Sequence, residues 1–157
     1  MKITFKIENN PVILTQLNKT VQNYHATQYP NLFLPHNYDR FLPWFEQKLA
    51  QKNITAIVVY DADQPIGYAL LILNVVGDDN PFQPDGFTTM LIDQMSIEPN
   101  YQNQKIGTLL MEYIFNYCQE QQVSRIRLSV WSDNLQAKHF YKKMGFSNYL
   151  EHLEIQR

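Results

Sequence analysis

Asn134-Leu-Gln-Ala-Lys-His-Phe-Tyr-Lys-Lys-Met-Gly-Phe146 is the stretch on which the fold turns. Leu135, Ala137, Phe140 and Met144 can form one buried face, so Asn134–Met144 reads as a short helix, and Gly145 supplies a left-handed cap that ends it. Upstream, Arg125–Trp131 alternates apolar and polar residues as a strand does. Further back, Ile106, Leu109, Leu110, Tyr113, Ile114 and Tyr117 recur at three- and four-residue intervals, the stripe of an amphipathic helix. Phe87–Ile97, closed by Glu98-Pro99, is the strand before it. These segments make one β-α-β unit with a further helix behind it.

Upstream again, Ile54–Tyr60 and Ile66–Val76 are β-branched and apolar, and Asp61-Ala-Asp-Gln-Pro65 between them predicts a hairpin. Gly77–Gly86, with three aspartates and two prolines, reads as a surface loop. At the start, Ile3, Phe5 and Ile7 share one side of a first strand, and Asn10-Pro11 caps and opens a helix carrying Val12, Ile13, Leu17, Val21 and Tyr24. Tyr29-Pro30 and Leu34-Pro35 break that helix into an aromatic-rich connector. A second helix is expected over about Arg40–Gln51, with Phe41, Trp44, Phe45 and Leu49 inward. Phe146 to about Ile155 reads as a last strand. The expected order is β-α-α-β-β-β-α-β-α-β, an α+β fold with a mixed, mostly antiparallel sheet. No repeat or long linker divides it, so residues 1–157 are expected to form a single domain.

At 157 residues the chain can bury a core of its own. Its net charge of −2, with lysines and arginines scattered, gives no footprint for nucleic acid. The first residues lack the apolar stretch of a signal peptide, and the longest apolar run, Tyr68–Leu73, is too short to span a bilayer. A cytoplasmic protein with no membrane partner is the expectation. Cys118, the one cysteine, reads as a small residue of the amphipathic helix rather than a nucleophile. The four histidines show no metal-ligand spacing, so no metal is expected.

Between Phe87–Ile97 and the amphipathic helix lies Gln102-Asn-Gln-Lys-Ile-Gly-Thr108. A strand, a turn and a helix in succession leave unpaired backbone N–H groups at the positive end of the helix dipole, where a phosphate can bind. Many such turns bind nothing. The glycines of a Walker A loop or a dinucleotide fingerprint are absent here.

Two segments together resemble the GNAT superfamily of acetyl-coenzyme A-dependent N-acetyltransferases. Gln102-Asn-Gln-Lys-Ile-Gly107 resembles the family's pyrophosphate loop, Gln/Arg-x-x-Gly-x-Gly/Ala, with Lys105 in place of the first glycine. If that position requires positive φ, lysine costs about 1–2 kcal/mol there. Asn134–Phe146 carries Asn-x-x-Ala-x-x-Phe-Tyr-x-x-x-Gly-Phe at each named position. The resemblance spans about Ile54 to Phe146. It implies that Phe87–Ile97 and Arg125–Trp131 are parallel central strands that splay apart, with helices flanking the sheet. It also implies that the coenzyme's pantetheine arm pairs with the backbone of Met95 and Ile97. Its pyrophosphate would lie on Gln102, Asn103, Gln104, Lys105, Ile106, Gly107 and Thr108, and Asn134 would touch the arm from the other side.

By the same resemblance Tyr141 is the general acid that protonates the leaving thiolate; its ordinary alternative is packing at a helix end. For the base, Asp93 shares a strand face with Met95 and Ile97 by parity, against the alternative of an aspartate held by backbone or arginine. The acceptor is expected to be a primary amine, on a small molecule or a peptide. Tyr24, Tyr29, Phe33, Trp44 and the loop with Asp78, Asp79 and Asp85 could meet it, or could be core aromatics and a solvated loop. A homodimer is an assembly common among relatives. The contrasting expectation is a non-catalytic module of the same fold that binds acyl-coenzyme A.

Overall fold

The computed structural model describes residues 1–157. One sheet has five strands in sequence order, β1 (Ile3–Ile7), β2 (Ile54–Asp61), β3 (Gln64–Val75), β4 (Thr88–Ile97) and β5 (Ile126–Leu128). The first three pairings are antiparallel and β4–β5 is parallel. The helices are α1 (Pro11–Gln28), α2 (Tyr38–Leu49), α3 (Ile106–Glu120) and α4 (Leu135–Lys143), and Pro99–Tyr101 is a single 3₁₀ turn.

Helices cover both faces of the sheet. Leu14 and Leu17 of α1 and Phe45 of α2 pack on Ala56, Val58, Tyr68 and Leu70. On the other face Ile106, Leu110, Met111 and Ile114 of α3 meet Ile57, Val59, Ala69, Leu71 and Ile92. This explains why β2 and β3 read as continuous apolar runs: with both faces dry, alternation has no purpose. Each fully buried Leu or Ile contributes about 1.5–3 kcal/mol relative to exposure. Cys118 is buried in the α3 side of this core, and burial pushes its thiol up to about 11, as a small apolar residue requires. No helix is long and apolar enough to cross a membrane.

Two expectations about strands need correction. The strand expected over Arg125–Trp131 is reduced to three residues, because pairing with β4 stops at Ile92 and Leu128. The strand expected over Phe146–Ile155 is absent. From Ser147 onward the chain makes no backbone–backbone hydrogen bond, for no neighbouring strand lies alongside it. Alternating residues make a segment able to be a strand; a partner makes it one.

β4 also contains one residue too many. Leu71 pairs with Ile92 and Leu70 with Gln94, so Asp93 has no partner on β3 and forms a bulge. Pairing with β5 ends at the residue before it.

Candidate active site

The bulge and the end of β5 together open the sheet. β4 continues on β3 as far as Ile97, while on its other side Asp93–Ile97 has lost its neighbour. Glu98 donates its N–H to the Ile66 carbonyl at 2.8 Å. By ladder alternation Gln94 and Ser96 then face β3, and the backbone groups of Met95 and Ile97 face the opening. Gly67 lies opposite Ile97, where a Cβ would stand 2.6 Å from Ile97 Cδ1 and 2.7 Å from the Ser96 carbonyl oxygen. Only glycine lets β3 approach the end of β4 so closely.

The turn that follows is held by its own side chains. Gln102 Nε2 donates to the Ile97 carbonyl at 2.9 Å, and Gln104 Nε2 to the Asn100 carbonyl at 2.9 Å. Asn103 and Lys105 are left-handed, with φ of 60° and 64°. Lys105 therefore occupies the position where the conformation favours glycine, and it starts α3 without a side-chain cap. The N–H groups of Ile106, Gly107 and Thr108 form the free first turn of that helix. Lys105 itself is exposed.

Asn134 starts α4 differently: its Oδ1 accepts from the Ala137 N–H at 3.1 Å. That leaves its side-chain NH₂ for another partner. Tyr141, on the same helix, is half-buried with Phe140 and Phe146 at 5.4 Å and 5.9 Å between ring centres. Burial raises its pKa, so the phenol holds its proton at neutral pH. Met95, Ile97, Tyr101 and Tyr141 all pack on the α3-side core, which brings Tyr141 to the same face as the opening's apolar side chains.

Asp93 is not on that face. The bulge shifts parity, so Met95 follows Ile92 on the α3 side while Asp93 and Gln94 turn toward α1 and α2. The charges it feels agree: Lys48 of α2 lowers its pKa and its own charge raises that of Tyr68, which is buried under α1. Its residue surface is largely exposed, so its carboxyl is only partly desolvated. That partial burial still outweighs Lys48 and sets its pKa above the ordinary carboxylate value.

The α1 and α2 side holds groups that the sequence did not single out. Tyr68 donates to Gln94 Oε1 at 2.6 Å and accepts from Asn18 Nδ2 at 3.0 Å, a buried relay beside Asp93. Asn18 Oδ1 is buried and without a partner. Just past the end of β5, Trp131 stacks on Tyr29 at 4.3 Å, and Tyr29 donates its hydroxyl to Asp133. That hydrogen bond pushes the Tyr29 pKa up to about 12. Phe33 meets the edge of Trp131 at 5.8 Å and stacks on His25 at 4.8 Å, where burial lowers the histidine pKa. Of the acceptor candidates, Tyr29 and Phe33 enter this group, whereas Trp44 packs on Phe45 of α2. Asp78, Asp79 and Asp85 remain on an exposed loop. Trp131 and Asp133 had no signal in the sequence, since their partner Tyr29 is about a hundred residues away.

Comparison with known proteins follows the same lines. The acetyltransferase (GNAT) family matches residues 18–146. An uncharacterized protein of Bacillus subtilis, YxbD, is 31% identical over 93 residues, which span 56% of this chain and 54% of that one. The chain thus covers about half the length of that relative. The x-ray structure of a tetramutant of the BH1408 protein of Bacillus halodurans has a TM-score of 0.83 at 22% identity, with each chain covered in full. An aminoglycoside N-acetyltransferase, AAC(6')-Iy, in complex with CoA has a TM-score of 0.72 at 11% identity, covering 99% of this chain and 95% of that one. A transcriptional regulator of Bacillus halodurans reaches 0.78 at 15% identity, covering 99% and 100%.

Proposed function

The chain belongs to the acetyltransferase (GNAT) family, and on that premise we propose that it moves the acetyl group of acetyl-coenzyme A to a primary amine by direct attack in a ternary complex. The observation that carries the proposal is the opened edge of β4 beside an uncapped helix start. The outward backbone groups of Met95 and Ile97 would take the pantetheine arm as an added strand, and the free N–H groups of Ile106, Gly107 and Thr108 would hold its pyrophosphate. Gln102 already donates to the Ile97 carbonyl, which leaves the Met95 N–H and C=O and the Ile97 N–H for the arm. The Asn134 NH₂ is free to meet the arm from the β5 side.

The chemistry then divides between the two faces of the sheet. Asp93, on the α1 and α2 side, would remove a proton from the incoming ammonium, directly or through water; its raised pKa improves it as a base. The neutral amine nitrogen bonds to the thioester carbon as the carbon–sulfur bond breaks, and the second proton that the nitrogen sheds on becoming an amide passes to water. An outward N–H of Met95 or Ile97 would stabilise the carbonyl oxygen as it gains charge. Tyr141, kept protonated by burial, would give its proton to the departing thiolate on the α3 side. Tyr29, Phe33, Trp131 and Asp133 would meet the acceptor, because aromatic faces with a carboxylate suit a cationic amine.

Thermal shift with acetyl-coenzyme A, followed by thiol release across polyamines, amino sugars, amino acids and peptide amines, tests the proposal. Stabilisation plus turnover of one class is expected. The competing reading, a coenzyme-binding module without catalysis, draws on Lys105 in the left-handed start of α3. Stabilisation without turnover of any amine would select it, and no stabilisation would defeat both.

A further inference from the structure

The bulge in β4 has two residues to choose from. Leu71 pairs with Ile92 and Ala69 with Met95, so between those pairs Leu70 faces both Asp93 and Gln94. The observed ladder takes Gln94 and leaves Asp93 over. The opposite choice, Leu70 with Asp93 and Gln94 in surplus, would keep every pair from Met95 onward as it is. The ladder alone therefore does not decide which of the two is the extra residue.

A tie on the α1 and α2 side does. Tyr68 pairs with Ser96 and so stands diagonal to Gln94 across the β3–β4 ladder, where its hydroxyl donates to Gln94 Oε1 at 2.6 Å. Asn18 Nδ2 reaches the same oxygen at 3.4 Å and the Tyr68 hydroxyl at 3.0 Å. Gln94 is thus held from β3 and from α1, while the Asp93 carboxyl takes part in none of these bonds. Burial keeps the Tyr68 phenol protonated and the Asp93 charge pushes the same way, so the donor persists around neutral pH. Packing alone would not select this trio. It lies among Leu14, Leu17, Phe45 and Leu70, and Asn18 Oδ1 is left buried with no donor. A stranded polar atom in an apolar cluster costs stability that a leucine would not.

We infer that Asn18 and Tyr68 are positioning residues: by holding Gln94 they fix Asp93 as the surplus residue of β4, with its carboxyl turned toward α1 and α2 at the start of the opening. The inference rests on Asp93 as the base of the proposed reaction. It separates the two jobs of β4, because the tie governs Asp93 and leaves Met95 and Ile97 in place.

A double-mutant cycle with a structure tests this. Tyr68→Phe is expected to lower kcat about tenfold or more, with acetyl-coenzyme A affinity by calorimetry unchanged. Asp93→Asn should lower kcat further, and adding Tyr68→Phe to it should change nothing more, since the tie acts only through that carboxyl. The double change Asn18→Leu with Tyr68→Phe leaves no buried hydroxyl or amide stranded on α1 or β3, and frees half-buried Gln94 to turn to water. It should melt close to the wild type and show Asp93 paired with Leu70 in a crystal structure. An unshifted bulge in that structure would overturn the inference, as would additive losses from Tyr68→Phe and Asp93→Asn. A wild-type kcat in Asp93→Asn would instead remove the base on which the inference rests, a failure that the unshifted bulge does not mimic.

Discussion

Asn10, Asn37, Asn134 and Lys105 begin the four helices, and the last is unlike the others. Each asparagine sits in extended or intermediate backbone and accepts a hydrogen bond from the first turn of its helix: from Val12, Arg40 and Ala137. Lys105 is left-handed and caps nothing. A cap contributes about 1 kcal/mol, and a left-handed lysine costs about 1–2 kcal/mol. α3 therefore begins at a local disadvantage that its buried residues Ile106, Leu110, Met111 and Ile114 offset. The contrast between the α3 and α4 starts teaches the most, because α3 follows β4 and α4 follows β5, the two strands that part. One start has a side-chain cap and its helix carries Tyr141; the other has none. A fold selected only for stability would have capped both.

Changes at the two starts can break or sharpen that contrast. The largest effect should come from the capped helix: Tyr141→Phe is expected to lower kcat by about a hundredfold or more, with coenzyme affinity and melting temperature nearly unchanged. Steady-state thiol release measures it, and an unchanged kcat would reduce α4 to a packing element. Next comes a new acid in the uncapped turn. Thr108→Glu should weaken acetyl-coenzyme A binding about tenfold, roughly 1.4 kcal/mol, while helix stability holds or rises because an acid complements the dipole. Calorimetry with a melting curve would show the two signs, and equal affinity would remove the α3 start as an anion site.

Asn134→Ala should cost about 1 kcal/mol through the lost cap, or about 2–4 °C in melting temperature. Lys105→Gly should move the other way, gaining up to about 1 kcal/mol as strain is relieved. If both changes destabilised equally, the two starts would not differ as described. The smallest effect on stability belongs to Asp93→Asn. The folded carboxyl has a raised pKa, so its charged form is disfavoured above that value; the penalty shrinks as pH falls through the folded pKa and is gone below the unfolded value, ~3.9. The variant should gain slightly at neutral pH and match the wild type in acid, while losing the acidic limb of its kcat/KM profile.

Much of this was legible in the sequence because it is local. Asn10-Pro11 announced the α1 cap, the apolar stripe from Ile106 announced α3, and Gly145 does take the expected left-handed form with φ of 97°. Lys105 stands at a glycine position of the loop pattern and has the left-handed backbone of one. What the sequence hid is relational. Phe146–Ile155 alternates as strands do, but no neighbour lies beside it. Counting in twos puts Asp93 on the face of Met95 and Ile97, and a bulge is invisible to such counting until β3 shows which residue lacks a partner. Tyr29 and Asp133 met only because the fold brought the α1 end to the exit of β5.

The bulge has a consequence for how such a site could be lost. Side-chain face and backbone edge normally advance together along a strand, so neither can be changed without the other. One surplus residue puts the two halves of β4 out of phase, with Asp93 on one side of the sheet and Met95 on the other. Deleting Asp93 would restore an unbroken ladder, because Gln94, Met95 and the residues after them already hold the faces that simple alternation from Ile92 would give them. The bulge is thus encoded by residue count as much as by residue type, and loss of the one surplus residue would remove both it and the carboxylate it carries.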